Sequence, residues 1–309
     1  MAQLHPLSEI KVVFPPGVYA DVRFERTTHH KITLRDGELD DVQTQTETGA
    51  LIRVLKNGQW AYASTTEVDK VDQTLAELAL ADSLPPTSMP DMVDRLSVHR
   101  DTVWVFDDER IDRVSLADKL QLLRDHASRL NRTSIATWNA RWMDQHRDRR
   151  FVSSKGADVQ HDYQECGFSL AFSMVEEQET VQERVTEANH RFSDLIRLRS
   201  LHAEQIEQTL DKCEVFLASA ETVVPGSATV ILSPEAAGIF AHESFGHKSE
   251  ADFMLGDPSM LESWKIGTKV GASILSIVDS GRPFGSGYMP YDDEGQPAGE
   301  THLIENGIL

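Results

Sequence analysis

Cysteine is almost missing from this chain: Cys166 and Cys213 stand far apart in 309 residues, too few and too distant for a disulfide framework. Each thiol reads as a small buried apolar side chain. Long apolar runs are missing too, since no stretch of about 18 such residues could cross a bilayer as a helix, and Met1 to Phe14 has no apolar segment of signal-peptide length. A cytoplasmic address is the expectation. Basic residues are scarce, 30 against 50 acidic ones, and the formal charge of −20 opposes the attraction that draws proteins to nucleic acid and to anionic lipid. Nucleic acid and membrane surfaces are thereby set aside as partners. Internal repeats and low-complexity tracts are absent as well.

What is present suggests an α+β protein. Ala20, Val22 and Phe24 alternate with polar residues, and Ile32 and Leu34 lead into Asp36-Gly37, a hairpin dipeptide. A second hairpin is expected around Asn57-Gly58, between Leu51–Leu55 and Trp60–Ala63. Val68, Val71, Leu75 and Leu78 recur at helical spacing, so a helix over residues 67–82 should pack on that sheet. The run Leu84-Pro85-Pro86-Thr87-Ser88-Met89-Pro90 reads as a linker. Ser115 is a suitable N-cap for a helix with Leu116, Leu120, Leu123, Ala127 and Leu130 on its core stripe. Residues 133–186 read as further strands with a turn at Lys155-Gly156, and residues 200–212 as a helix.

A domain boundary is placed near Val223-Val224-Pro225-Gly226, giving an N-terminal α+β domain, 1–222, and a second domain, 223–309. Ala228 to Leu232 is expected to be a short buried strand. Ser233-Pro234-Glu235 then opens a helix with an N-cap, a proline at the first helical position and an early acid.

That helix runs into His242-Glu243-Ser244-Phe245-Gly246-His247, an HExxxH pattern. Imidazole is a good neutral zinc ligand, and a carboxylate beside a ligand can take a proton from water whose pKa the metal has lowered to about 7. The spacing poses a geometric problem, because positions i and i+5 of a regular helix lie about 140° apart, too far round to share one ion. A single π turn of about 4.4 residues would bring the imidazoles back to about 50° apart. Gly246 lowers the cost of that distortion or of ending the helix there.

The run from Gly238 through the motif to Lys248-Ser249-Glu250-Ala251-Asp252 resembles the signature of the TldD branch of the TldD/PmbA family. Tyr291-Asp292-Asp293-Glu294-Gly295, Leu303-Ile304-Glu305-Asn306-Gly307, Arg35-Asp36-Gly37-Glu38 and Glu47-Thr48-Gly49 are similar to other family blocks. The resemblance implies a cytosolic zinc peptidase with His242 and His247 as metal ligands and Glu243 as general base. It further implies a two-lobed α+β fold, with an N-terminal mixed sheet and helices and a β-rich catalytic domain of which the first part is present. The implied partners are a polypeptide substrate, unfolded or a leader peptide, and a homologous subunit, either an identical chain or a PmbA-like paralogue. The family's third ligand is a cysteine near the C-terminus, and neither Cys166 nor Cys213 matches it; the expectation is that this chain is cut short before that ligand.

Glu250 and Asp252 are candidates for fixing a ligand tautomer or completing the site, whereas His29, His30 and His302 read as surface histidines. Asp292-Asp293-Glu294-Gly295 lacks the alternating spacing of a calcium loop and reads as a turn. Gly281, Arg282, Gly285 and Gly287 lack a P-loop lysine and read as a loop. The function expected is zinc-dependent peptide hydrolysis. The alternative is a non-catalytic assembly or peptide-binding module with a vestigial motif.

Overall fold

The computed structural model describes residues 7–80, 92–177, 179–254 and 257–309; the linker expected at 84–90 lies outside them. Internal contacts divide the chain into two units: unit 1 comprises Met1–Ala220 and Phe284–Pro297, and unit 2 comprises Glu221–Pro283 and Ala298–Leu309.

Unit 1 begins with β1 (Tyr19–Arg35), β2 (Glu38–Lys56) and β3 (Gln59–Thr65), joined as hairpins. The turns form where expected because their residues accept positive φ: Asp36 and Gly37 take 46° and 94°, Asn57 and Gly58 take 54° and 75°. Two consecutive positive φ angles match the right-handed twist of the flanking strands. There follow α1 (Val71–Leu80), β4 (Arg100–Val103), α2 (Leu116–Ala127), β5 (Ile135–Ser153), β6 (Asp158–Glu176), β7 (Glu179–Asn189), α3 (Phe192–Arg197) and α4 (Arg199–Ser219). The sheet order is β3-β2-β1-β5-β6-β4, with β7 also paired to β6. Among the described strands only β4 runs parallel to its neighbour, β6.

The strands are long enough to carry two apolar cores on one face, because even-numbered side chains of β1 share a side. Near one end Ala20, Val22 and Phe24 join Ile52 and Val54 of β2 and Val71 and Leu75 of α1. Near the other, Ile32 and Leu34 join Trp142, Phe168 and Leu170 beneath Leu123 of α2 and Ile206 and Leu210 of α4. Cys166 and Cys213 are both buried here, and burial pushes both thiols up from their ordinary pKa.

The face that α2 buries differs from the expected stripe. Ser115 does cap it, accepting the Asp118 N–H, but Leu116 is exposed while Lys119 and His126 are wholly buried. Lys119 Nζ lies 2.8 Å from Asp144 Oδ2, His30 Nδ1 lies 2.8 Å from Asp144 Oδ1, and the Trp142 indole N–H donates to Oδ2 at 2.6 Å. The reading of His30 as a surface histidine is therefore corrected: it belongs to this buried cluster. A carboxylate satisfied by three donors can sit where an unpaired charge could not.

In unit 2, α5 (Pro234–Ala241), α6 (Ala251–Met254), α7 (Pro258–Ser263), β8 (Ile277–Ser280) and β9 (Glu300–Ile304) are short. The strand expected at Ala228–Leu232 is not formed, and those residues are exposed. Apolar, β-branched composition favours a strand only where a neighbour supplies ladder hydrogen bonds and a face to pack on, and no described strand pairs with this segment. The capping residues are as expected, with Ser233 Oγ accepting the Ala236 N–H and Pro234 in the first turn.

Residues 284–297 leave unit 2 and pack within unit 1. Asp292 Oδ1 accepts the N–H groups of Glu294 and Gln296, the turn read from sequence. Gly295 has φ 70°, and a Cβ there would lie 2.5 Å from the Phe151 ring, so the close approach demands glycine. Glu294 accepts from Arg53 at 2.9 Å, while Arg53 also holds Asp21 through two bonds of 2.9 Å. Arg23 pairs with Asp293 at 2.8 Å.

Candidate metal centre

The α5 helix widens as it reaches the motif. Residues His242–Gly246 form a π turn in which the His247 N–H bonds to the His242 carbonyl, five residues back. A tighter 3₁₀ turn, His247–Ser249, follows. This is the distortion that the i, i+5 spacing requires, since the wider turn rotates His247 back over His242. The two imidazole centroids are 4.4 Å apart with planes at 69°. Ligand atoms of His242, Glu243 and His247 lie within 4.8 Å of one another.

Local bonds hold this shape. Ser249 Oγ–H donates to the Phe245 carbonyl at 2.9 Å, and the Trp264 indole reaches Ser249 Oγ at 3.4 Å. Phe245 sits between Phe240 and Trp264, at centroid distances of 6.0 and 6.3 Å. Ser249 lies in the signature run but nothing in the sequence marks this role for it or for Trp264, because a hydroxyl bonding back four residues carries no distinctive pattern. Glu250 Oε1 lies 2.6 Å from His247 Nδ1. A carboxylate on one ring nitrogen fixes the orientation and tautomer of a ligating histidine, so the Glu250 candidate stands beside the motif. The Asp252 side chain lies outside the described residues.

His302 is exposed, 3.8 Å from Glu300, and does not join the motif cluster. His30 lies in the unit 1 core. Arg282 Nε–H donates to the Ala298 carbonyl at 3.1 Å, a loop contact. The motif donor set suits zinc, for two neutral imidazoles beside a carboxylate are the borderline N/O ligands that zinc accepts.

Residues 225–309 match the PmbA/TldA metallopeptidase C-terminal domain, and residues 20–82 match PmbA/TldA metallopeptidase domain 1. The chain belongs to the PmbA/TldD family of metallopeptidases. A metalloprotease of Methanothermobacter thermautotrophicus is 26% identical over 94% of this PmbA/TldD chain and 63% of its own length. A metalloprotease of Synechocystis is 27% identical over 98% of the chain and 67% of its own length. The zinc metalloprotease TldD homolog of Saccharolobus solfataricus is 26% identical, covering 94% and 63%. This PmbA/TldD chain thus spans about two thirds of these relatives. Its fold is shared with TldE of Thermococcus kodakarensis, at TM-score 0.65, 16% identity and coverage of 94% of this chain and 65% of that one. A Bacteroides thetaiotaomicron crystal structure gives TM-score 0.74 at 14% identity, covering 94% and 66%. The α+β class expected from sequence is therefore the fold found. No helix among the described residues is long and apolar enough to cross a membrane.

Proposed function

We propose that this chain carries the metal-binding and proton-transfer residues of a zinc-dependent peptidase acting in the cytoplasm. The observation that supports the reading is the π turn, which brings the donor atoms of His242, His247 and Glu243 within 4.8 Å of one another. His242 and His247 would hold the ion, with Glu250 orienting His247. When bound, such an ion supplies Lewis acidity toward a carbonyl oxygen and lowers the pKa of water. Glu243 takes the proton of the attacking water on a carboxylate oxygen and returns it to the departing amine nitrogen. The substrate is an extended, unfolded or leader polypeptide, and a homologous subunit, identical or PmbA-like, completes the assembly.

Two imidazoles and a carboxylate reserved for proton transfer leave zinc short of the three protein ligands usual in catalytic sites. Zinc binding by this chain should accordingly be weak. Competition against a chromophoric chelator measures it: His242→Ala and His247→Ala should each lower affinity at least about tenfold, whereas Glu243→Gln should leave it nearly unchanged. In a form of the protein that cleaves peptides, Glu243→Gln should lower turnover at least about a hundredfold. Zinc affinity indifferent to both histidines would favour the non-catalytic module. Near-normal turnover by Glu243→Gln would remove its proton-transfer role.

A further inference from the structure

Between the two apolar cores of unit 1, the helix-bearing face of the sheet has a polar saddle. Arg26 rises from β1 there, half-buried, with its Nε out of solvent and without a hydrogen-bond partner. Its guanidinium has no carboxylate partner among the described residues. The obvious one lies directly across the strand pair, since Arg26 is in register with Asp148 of β5. Asp148 is already taken: Oδ1 is 3.0 Å from His146 Nε2 and 3.3 Å from Arg110, and Oδ2 is 3.3 Å from Arg110. Arg110 is saturated in turn, holding Asp112 at 3.1 and 3.0 Å through its remaining fork. Other described arginines without an acidic partner, such as Arg95, Arg124, Arg141 and Arg184, are exposed to water, whereas Arg26 is half-buried.

Arg26 lines a cavity of about 400 Å³ together with Leu7, Ser8, Trp104 and Gln160, a volume within the range of small-ligand sites. Leu7 is buried, and the Trp104 ring is 42% exposed, so an apolar body has a surface to cover. Ser8 and Gln160 offer hydrogen-bonding groups beside it.

We infer that this saddle is a binding site for a small monocarboxylate with an apolar body, of the kind an acylated amino acid or a peptide C-terminus presents, with Arg26 as its anion partner. A planar carboxylate matches the guanidinium fork bidentately. One unpartnered arginine neutralises one negative charge. On the same walls Arg110 is paired with Asp112 and Asp148, and Arg113 with Asp107, so Arg26 is the one cation left to meet an anion, which disfavours the more highly charged phosphate. This site lies in unit 1 and does not depend on the metal reading.

Isothermal titration of the whole chain with N-acetyl-leucine, N-acetyl-leucinamide and inorganic phosphate tests the assignment. N-acetyl-leucine should bind, and the amide and phosphate should bind at least tenfold more weakly. Arg26→Met should weaken N-acetyl-leucine at least tenfold, with Arg26→Lys recovering part of the loss because it restores charge without the fork. Should Arg26→Met fail to fold, Trp104→Ala at the exposed rim provides the second reading, with an expected loss of about threefold to tenfold for the carboxylate. No binding of N-acetyl-leucine, equal binding of its amide, tighter binding of phosphate, affinity unchanged in a folded Arg26→Met, or, where that variant does not fold, affinity unchanged in Trp104→Ala would each overturn the inference.

Discussion

Ile32, Trp142, Phe168 and Leu170 lie almost wholly buried along the 17- to 19-residue strands of unit 1, whereas Ile231, Ile266 and Ile274 of unit 2 keep 94%, 90% and 95% exposure. Among the described residues of unit 2, Ile304 is the one buried hydrophobic side chain. The two regions are thus shaped by different terms. Burial and cross-strand pairing fix unit 1. In unit 2 the shape is written in short-range bonds: Ser233 on the Ala236 N–H, Asp257 on the N–H groups of Ser259 and Met260, and the π hydrogen bond of His247. The histidine cluster therefore depends on a few consecutive residues, while the Arg26 saddle depends on strands that meet from distant parts of the chain.

The contrast can be broken most severely at Lys119. Lys119→Met leaves Asp144 buried with only His30 and Trp142, and loss of one partner of a buried ion pair costs about 3–5 kcal/mol; urea denaturation of unit 1 should register it at the low end, since two donors remain. A stability unchanged within error would mean that the Lys119–Asp144 pair makes no net contribution. Next comes a matched pair of truncations. Leu123→Ala in the unit 1 core should cost about 2–5 kcal/mol, whereas Ile274→Ala should stay within about 0.5 kcal/mol. Equal costs would show that unit 2 is held by burial after all.

Acid sharpens the comparison further. Burial pushes His126 down to about 4, with Arg129 adding to the effect, and burial pushes His161 down to about 4, with Arg149 adding to it. Between about pH 6.5 and pH 4 the unfolded chain binds protons that the folded chain refuses. Their contribution is complete above about pH 6.5 and is lost as pH falls toward 4. Both His126 ring nitrogens are buried without partners, and the ring stacks on Phe168 at 4.4 Å. His126→Phe should therefore flatten the pH slope of the urea midpoint and raise stability near pH 5. An unaltered slope would mean that His126 does not carry it. The smallest expected effect is local: Ser233→Ala should weaken α5 by about 1 kcal/mol, read as faster amide exchange from Ala236 to His242, with unit 1 unaffected. Exchange unchanged in that helix would show that more than its cap orders it.

How far these features could be read from residues alone follows the same division. The hairpins at Asp36-Gly37 and Asn57-Gly58, the cap at Ser233 and the π turn demanded by five-residue histidine spacing are local, and each is legible within a few positions. Lys119, His126 and His30 were hidden because their burial depends on partners 25 to 114 residues away, and a charged side chain on a helix reads as solvated until its partner is seen. The exposed course of Ala228–Leu232 was missed for the opposite reason, since β-branched composition promises a strand but cannot supply its neighbour. Arg26 gives no signal at all in sequence. Only the diversion of Asp148 toward Arg110 and His146 distinguishes it from any other arginine on a strand.

The segment 284–297 also sets a schedule. Arg53 can hold Asp21 as soon as the first hairpins form, yet Glu294, its other acceptor, lies 241 positions further along. At about 5–20 residues per second, ribosomes need roughly 4–15 s to pass from Ala220, where the first stretch of unit 1 ends, to Glu294. For those seconds the nascent sheet would present Arg23, Arg53 and the Phe151 ring uncovered, a basic and aromatic spot on an otherwise acidic chain and a defined target for a chaperone.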